Sequence, residues 1–185
     1  MAKSDPGMNN QELLNQLIEA CEIVRPAPPV SEPASEVVSD LTAAPASEPV
    51  SPPEDPVQEV DHKARGYDLS VTLRPEKIVS AVEVLDQAGF AIDTITGVDW
   101  IAADQMEVVY DFFRIDGPSR VVLRSRLPRA NPEIPTISTV FPGANWHERE
   151  THDFFGIRFS GHPNLTPFLL EEDATYHPLM KDFSL

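Results

Sequence analysis

The side chains best suited to chemistry crowd toward the C-terminus. Four of the five histidines, His147, His152, His162 and His177, lie in the last 39 residues. The densest polar run is there too: Trp146-His-Glu-Arg-Glu-Thr-His-Asp-Phe-Phe-Gly156. Histidines flanking a glutamate suggest metal-assisted hydrolysis. A zincin helix sets its two histidines at i and i+4, so that both imidazoles share a face. His147 and His152 are five residues apart. At about 100° per residue they sit about 140° apart around a helix and cannot close on one ion. Asp153 or Glu150 could complete a cysteine-free histidine site, but the helical geometry does not favour it.

The same run on a helical wheel groups differently. Trp146, Arg149, Glu150 and Asp153 fall within about 100° of one another. Glu148 and Phe155 lie on the opposite side. Paired acids can work as general acid and base. The run offers no adjacent nucleophile and no glycine loop for phosphate. Aromatic and Arg residues beside carboxylates also suit a buried protein interface, with Arg149 expected to pair with carboxylates. An ordinary solvated helix remains an alternative on this pattern alone.

The elements that must hold this run read as α+β, a helix packed on a small antiparallel or mixed sheet. Asp68–Leu73 alternates as a strand does. Pro75 suits the first turn of a helix whose buried face is Ile78, Val79, Val82 and Leu85, ended by Gly89. Residues 90–101 read as β-rich with an interruption at Gly97. Met106–Ile115 and Arg120–Leu127 are two more strands joined by Asp116-Gly-Pro-Ser119. Asn131–Pro135 breaks the pattern, so residues 63–135 form the expected domain and 136–185 an arm of helical pieces and extended chain.

Two segments precede the domain. Leu13, Leu14, Leu17, Ile18, Cys21 and Val24 mark a short amphipathic helix within residues 1–25, with Asn10 as cap and Pro26 as stop. It should dock on a partner rather than on its own domain. Residues 26–61 hold nine prolines and eight acids without one Lys or Arg, so 26–62 reads as a disordered linker. That stretch carries half of the net charge of −16. So acidic a chain is a poor fit to nucleic acid or to anionic lipid. Cys21 is the only cysteine, which excludes an internal disulfide and an iron–sulfur cluster held by this chain alone. No apolar run reaches the length of a membrane span, and the start has no signal-peptide core, which leads to a cytoplasmic expectation.

Three motifs together resemble a known family: Asn145–Gly156, then Gly161-His162-Pro163-Asn-Leu165, then His177-Pro178-Leu179-Met-Lys181-Asp182-Phe183. They are similar to the signature of the thirty-kilodalton subunit family of respiratory complex I, the C subunit of NADH:quinone oxidoreductase. Relatives of that family occur in energy-converting membrane-bound [NiFe] hydrogenases, including the CO-induced type. The resemblance spans roughly residues 66–185. It implies a non-catalytic, cofactor-free subunit of a complex I-like oxidoreductase, binding no metal and having no active site of its own. It implies a peripheral place on the cytoplasmic side of the cell membrane. The implied partners are the large catalytic subunit, of hydrogenase or forty-nine-kilodalton complex I type, and other hydrophilic-arm subunits. By position, Trp146, Glu148, Arg149, Glu150, Asp153, Phe155, Gly156, His162, Pro163, His177, Pro178, Lys181, Asp182 and Phe183 would form the subunit interface. Several positions depart from the pattern: His152 replaces an aromatic, Thr166-Pro167 replaces basic residues, and Met180 and Ser184 replace Arg and Pro. The run Leu169-Leu-Glu-Glu-Asp173 is more similar to the hydrogenase branch. The expected parent complex is therefore a hydrogenase, with NADH:quinone oxidoreductase as the alternative.

Overall fold

The computed structural model describes residues 9–24 and 56–184. Helix α1 (Asn10–Cys21) is followed by strand β1 (Val57–Glu59), a one-turn helix α2 (His62–Arg65) and β2 (Leu69–Leu73). Helix α3 (Ile78–Gln87), entered through a 3₁₀ turn at Pro75–Lys77, leads to β3 (Phe90–Trp100), β4 (Gln105–Arg114) and β5 (Arg120–Pro128). A short β6 (Glu133–Pro135), helix α4 (Ala144–Phe155) and β7 (Arg158–Ser160) complete the regular elements.

The architecture is α+β, as the periodicity predicts. Five strands form one mixed sheet in the order β1-β2-β5-β4-β3. β2 runs parallel to β5, and the other neighbours are antiparallel. Alternation sorts the side chains: Met106, Val108, Tyr110 and Phe112 of β4 are buried with Leu123 and Leu127 of β5. The charged face carries Arg120, Arg124 and Arg126 against Asp111 and Glu107 of the neighbouring strand. β6 and β7 pair in parallel as a separate ribbon beside α4.

Several local expectations need correction. Residues 90–100 form one continuous strand through Gly97, not an interrupted one. Glycine stands there because the Phe155 ring of α4 lies against the strand: a Cβ on Gly97 would sit 2.5 Å from the ring. The only irregularity in that pairing lies between Ile92 and Thr94, where Asp93 meets Arg120. The stretch read as a break at Asn131–Pro135 contains β6. β1 lies inside the expected disordered linker of residues 26–62, ordered because Val57 is buried in antiparallel pairing with Val71, and α2 begins at the linker's last residue. Residues 26–55 of that linker lie outside the described residues.

Helix α1 differs most from expectation. Its cap is Asn9, whose side chain accepts from the Gln11 N–H within a capping box closed by Glu12. The helix ends at Cys21 with Glu22 in the left-handed region, so Val24 lies beyond it and is exposed. Leu13, Leu14, Leu17 and Cys21 are buried in the same core as Ile78, Ala81, Val82 and Leu85 of α3. The stripe thus docks in cis, on its own domain. Lys77 pairs with Glu22 at 2.9 Å, and the Ser119 hydroxyl meets Asn10 at 3.0 Å. Burial pushes the Cys21 thiol up to about 11, which leaves a small apolar packing group rather than a nucleophile.

Candidate functional site

Helix α4 presents two faces with opposite fates. One turns into the core. Glu148, on that side, is fully buried. Its carboxyl accepts from the Ile137 N–H at 2.7 Å and the Thr136 hydroxyl at 2.5 Å. Burial outweighs those two bonds and pushes its pKa up to about 7. The neighbouring His162 ring is also buried, with Nε2 3.8 Å from the carboxyl. Its Nδ1 accepts from the Asn164 N–H, so Nε2 carries the proton and donates to the Asn145 carbonyl. Desolvation holds this imidazole below its ordinary pKa. The pair is structural: it ties α4 to the loop before it and to the turn after β7.

The other face of α4 organises the irregular arm. Asp153 Oδ2 accepts three successive backbone N–H groups, from Phe168 at 2.8 Å, Leu169 at 2.7 Å and Leu170 at 3.2 Å. Arg149 reaches the Thr166 carbonyl with Nε at 3.0 Å and the Pro167 carbonyl with Nη2 at 2.8 Å. Arg149 is therefore not paired with carboxylates, contrary to the helical wheel. The wheel sees only neighbours on the helix, whereas the arm brings free carbonyls to the guanidinium. Arg149 also lies 5.2 Å from the Trp146 ring centroid and 5.0 Å from that of Phe168.

Further along, the His177 imidazole donates from Nδ1 to the Asp153 carbonyl at 2.8 Å. Gly156 ends α4 at φ 72°, and a Cβ there would lie 2.7 Å from the His177 ring. Glycine is thus required by both the backbone and the imidazole. Lys181 donates its backbone N–H to Asp99, and Asp182 meets Arg129 at 2.6 Å. Phe183 stacks on Tyr176 at 5.6 Å. Pro178 is half-buried, whereas Glu150 and Pro163 are exposed. His147 and His152 do not converge on an ion: among the described residues no cluster of three or more His, Cys, Asp or Glu could hold a metal. His152 instead bonds the Ile157 carbonyl.

The sequence patterns do not point to Asp99, Arg129 or Thr136. Asp99 accepts both Arg129 contacts, at 2.8 and 3.0 Å, and its pKa is lowered chiefly by that guanidinium. These partners are 30 residues apart, beyond any local periodicity. A charged residue on the inward register of β3 is the one available signal.

What remains outward is apolar. Among the described residues, nine large hydrophobic side chains are exposed, and five belong to α4 or the arm: Trp146, Phe168, Leu169, Tyr176 and Leu179. Trp146 and Phe168 touch, with centroids 5.0 Å apart.

The family model described as respiratory-chain NADH dehydrogenase, 30 Kd subunit, matches residues 71–185, more than half of the chain. The chain belongs to this family. It is 42% identical over 123 residues to the C subunit of NADH-quinone oxidoreductase from Roseiflexus sp. strain RS-1, covering 64% of this chain and 71% of that protein. It is 42% identical over 91 residues to the C subunit of F(420)H(2) dehydrogenase from Methanosarcina mazei, covering 49% of this chain and 58% of that one. Among solved structures it resembles a chain of the membrane-bound sulfane sulfur reductase, an archaeal respiratory membrane complex, with a TM-score of 0.59 and 27% identity over 63% of this chain and 72% of that one. The matched residues run from β2 through α4 and the arm, and the family places the chain among subunits of complex I-like respiratory complexes. Among the described residues no helix is long and apolar enough to cross a membrane.

Proposed function

We propose that this chain is a docking subunit of a complex I-like oxidoreductase, without an active site of its own, and that α4 and the arm seat on the large catalytic subunit. The observation that carries this is the exposed set Trp146, Phe168, Leu169, Tyr176 and Leu179 on a segment held by polar clamps. Aromatic and Arg side chains in one preorganised patch are the usual anchors of an interface. In this reading the chain is peripheral, on the cytoplasmic side of the membrane, and carries no redox group. Co-expression with the large subunit tests it. Trp146→Asp should abolish co-purification, whereas Ile115→Asp, on an exposed hairpin outside the arm, should leave it intact. Equal recovery of both variants overturns the reading.

For the parent complex, we infer the NADH-quinone type. The 42% identity to the Roseiflexus protein supports it. The hydrogenase branch remains a second reading, favoured by the run Leu169–Asp173. The neighbouring large-subunit gene separates the two, because a nickel centre needs paired Cys-x-x-Cys thiolates. Their presence makes the complex a hydrogenase, and their absence leaves the quinone reading.

A further inference from the structure

We propose that the partner surface facing the arm is of opposite charge: an apolar pocket for Trp146, Phe168 and Leu169, rimmed by Lys and Arg side chains. This rests on the docking reading above and specifies the chemistry of the partner.

The apolar centre of the patch is bordered by acids. Glu150 of α4 and Glu171, Glu172 and Asp173 of the arm are all exposed. Residues 159–180 contain neither Lys nor Arg. Lys181, which follows the stretch, is exposed and binds Asp99 only through its backbone N–H, and the two arginines nearest the patch on its N-terminal side are engaged. Arg149 is turned inward onto the Thr166 and Pro167 carbonyls, and Arg158 lies 3.6 Å from Glu133. Among the described residues no ion pair joins Glu150, Glu171, Glu172 or Asp173 to a cation.

The acids are also held in place. The three N–H groups on Asp153 fix the backbone up to Leu170, one residue before Glu171. Glu171 then accepts from the Tyr176 hydroxyl at 2.8 Å, and Tyr176 stacks on Phe183. Three consecutive exposed carboxylates on one turn give this rim a negative potential that a cationic surface complements. That selects the occupant. Anionic lipid is repelled by this rim, and so is a second copy of the same face. A protein with an apolar pocket and a cationic rim gains from both parts. The rim acts mainly on encounter, and the buried aromatic anchors act on residence.

The test measures association of the full chain with the purified large subunit in 50 and 500 mM KCl. The wild-type association rate should fall at least about 10-fold across that range, as screening shortens the reach of the rim. Glu171→Gln, Glu172→Gln and Asp173→Asn together should slow association roughly 5- to 10-fold in low salt and leave it unchanged in high salt. Glutamine keeps the acceptor for Tyr176, and unaltered thermal unfolding of the triple variant shows that its arm is intact. Trp146→Ala should speed dissociation about 30-fold or more at both salt concentrations. Salt-independent association, or a triple variant that associates like wild type, overturns the inference while leaving the docking reading standing. No binding at either salt overturns both.

Discussion

Glu148 and Asp153 are five residues apart on one helix, yet they do opposite things. Glu148 is buried beside a neutral histidine, and its raised pKa of about 7 means that the folded chain holds a proton there which the unfolded chain releases near its ordinary 4.5. The folded state therefore binds more protons between those values, and stability falls as pH rises through the window. The loss should be on the order of 3 kcal/mol, and flat above pH 8. His162 acts with the opposite sign. Its lowered pKa gives stability that is present above its unfolded value and lost as pH falls through the folded one. Glu148→Gln isolates the first effect, because the amide still accepts from Ile137 and can donate to Thr136. The stability of wild type relative to this variant should decline from pH 5 to pH 8 in chemical denaturation. A constant difference would remove the buried acid as its source. Asp153 works through its three backbone donors. Asp153→Ala strands them, and a bond to a carboxylate contributes about 1.5–3 kcal/mol. Hydrogen exchange at Phe168–Leu170 should become fast in this variant while exchange in β4 stays slow. Protection that persists at those amides would show that other contacts hold the arm.

The elements divide into those that local periodicity reveals and those that only tertiary packing creates. β2, β4, β5 and α3 are legible because period-2 and 3.6 patterns are uninterrupted there. β1 is not, since Val57 is its only apolar residue and a proline- and acid-rich stretch surrounds it. Gly97 reads as a break because glycine lowers strand propensity, whereas its actual cause is the Phe155 ring from a helix more than fifty residues away. The site divides in the same way. The wheel separates the two faces of α4 correctly, but it cannot show that Glu148 is buried or that Arg149 finds carbonyls instead of carboxylates. The stripe of α1 is equally legible, but amphipathicity does not say which surface receives it. Leu17→Ala distinguishes docking in cis from docking on a partner. With Leu17 fully buried in the isolated chain, truncation should cost about 2–5 kcal/mol. A cost near zero in denaturant titration of the isolated chain would show that α1 is not packed there.

At the scale of the whole molecule, the arm is tied to the sheet domain at separate points, and their energetic weights should differ sharply. The C-terminal tie runs from β3 through Arg129 to Asp182, with the Lys181 N–H also on Asp99. The Asp99 side chain is fully buried, whereas that of Asp182 is 54% exposed. An exposed ion pair contributes under about 1 kcal/mol, because water competes for both charges. A buried carboxylate left without its cation costs about 3–5 kcal/mol. Asp182→Ala should therefore loosen only the last turn, read as faster exchange at Lys181–Phe183 with the unfolding midpoint nearly unchanged. Arg129→Ala should lower the stability of the whole domain, because it strands Asp99 against the end of β3. Asp99→Asn combined with Arg129→Ala should recover part of that loss, since no buried charge then remains. If the two single variants destabilise equally, the exposed contact carries more than solvent screening permits, and the arm is coupled to the sheet by more than this one buried pair.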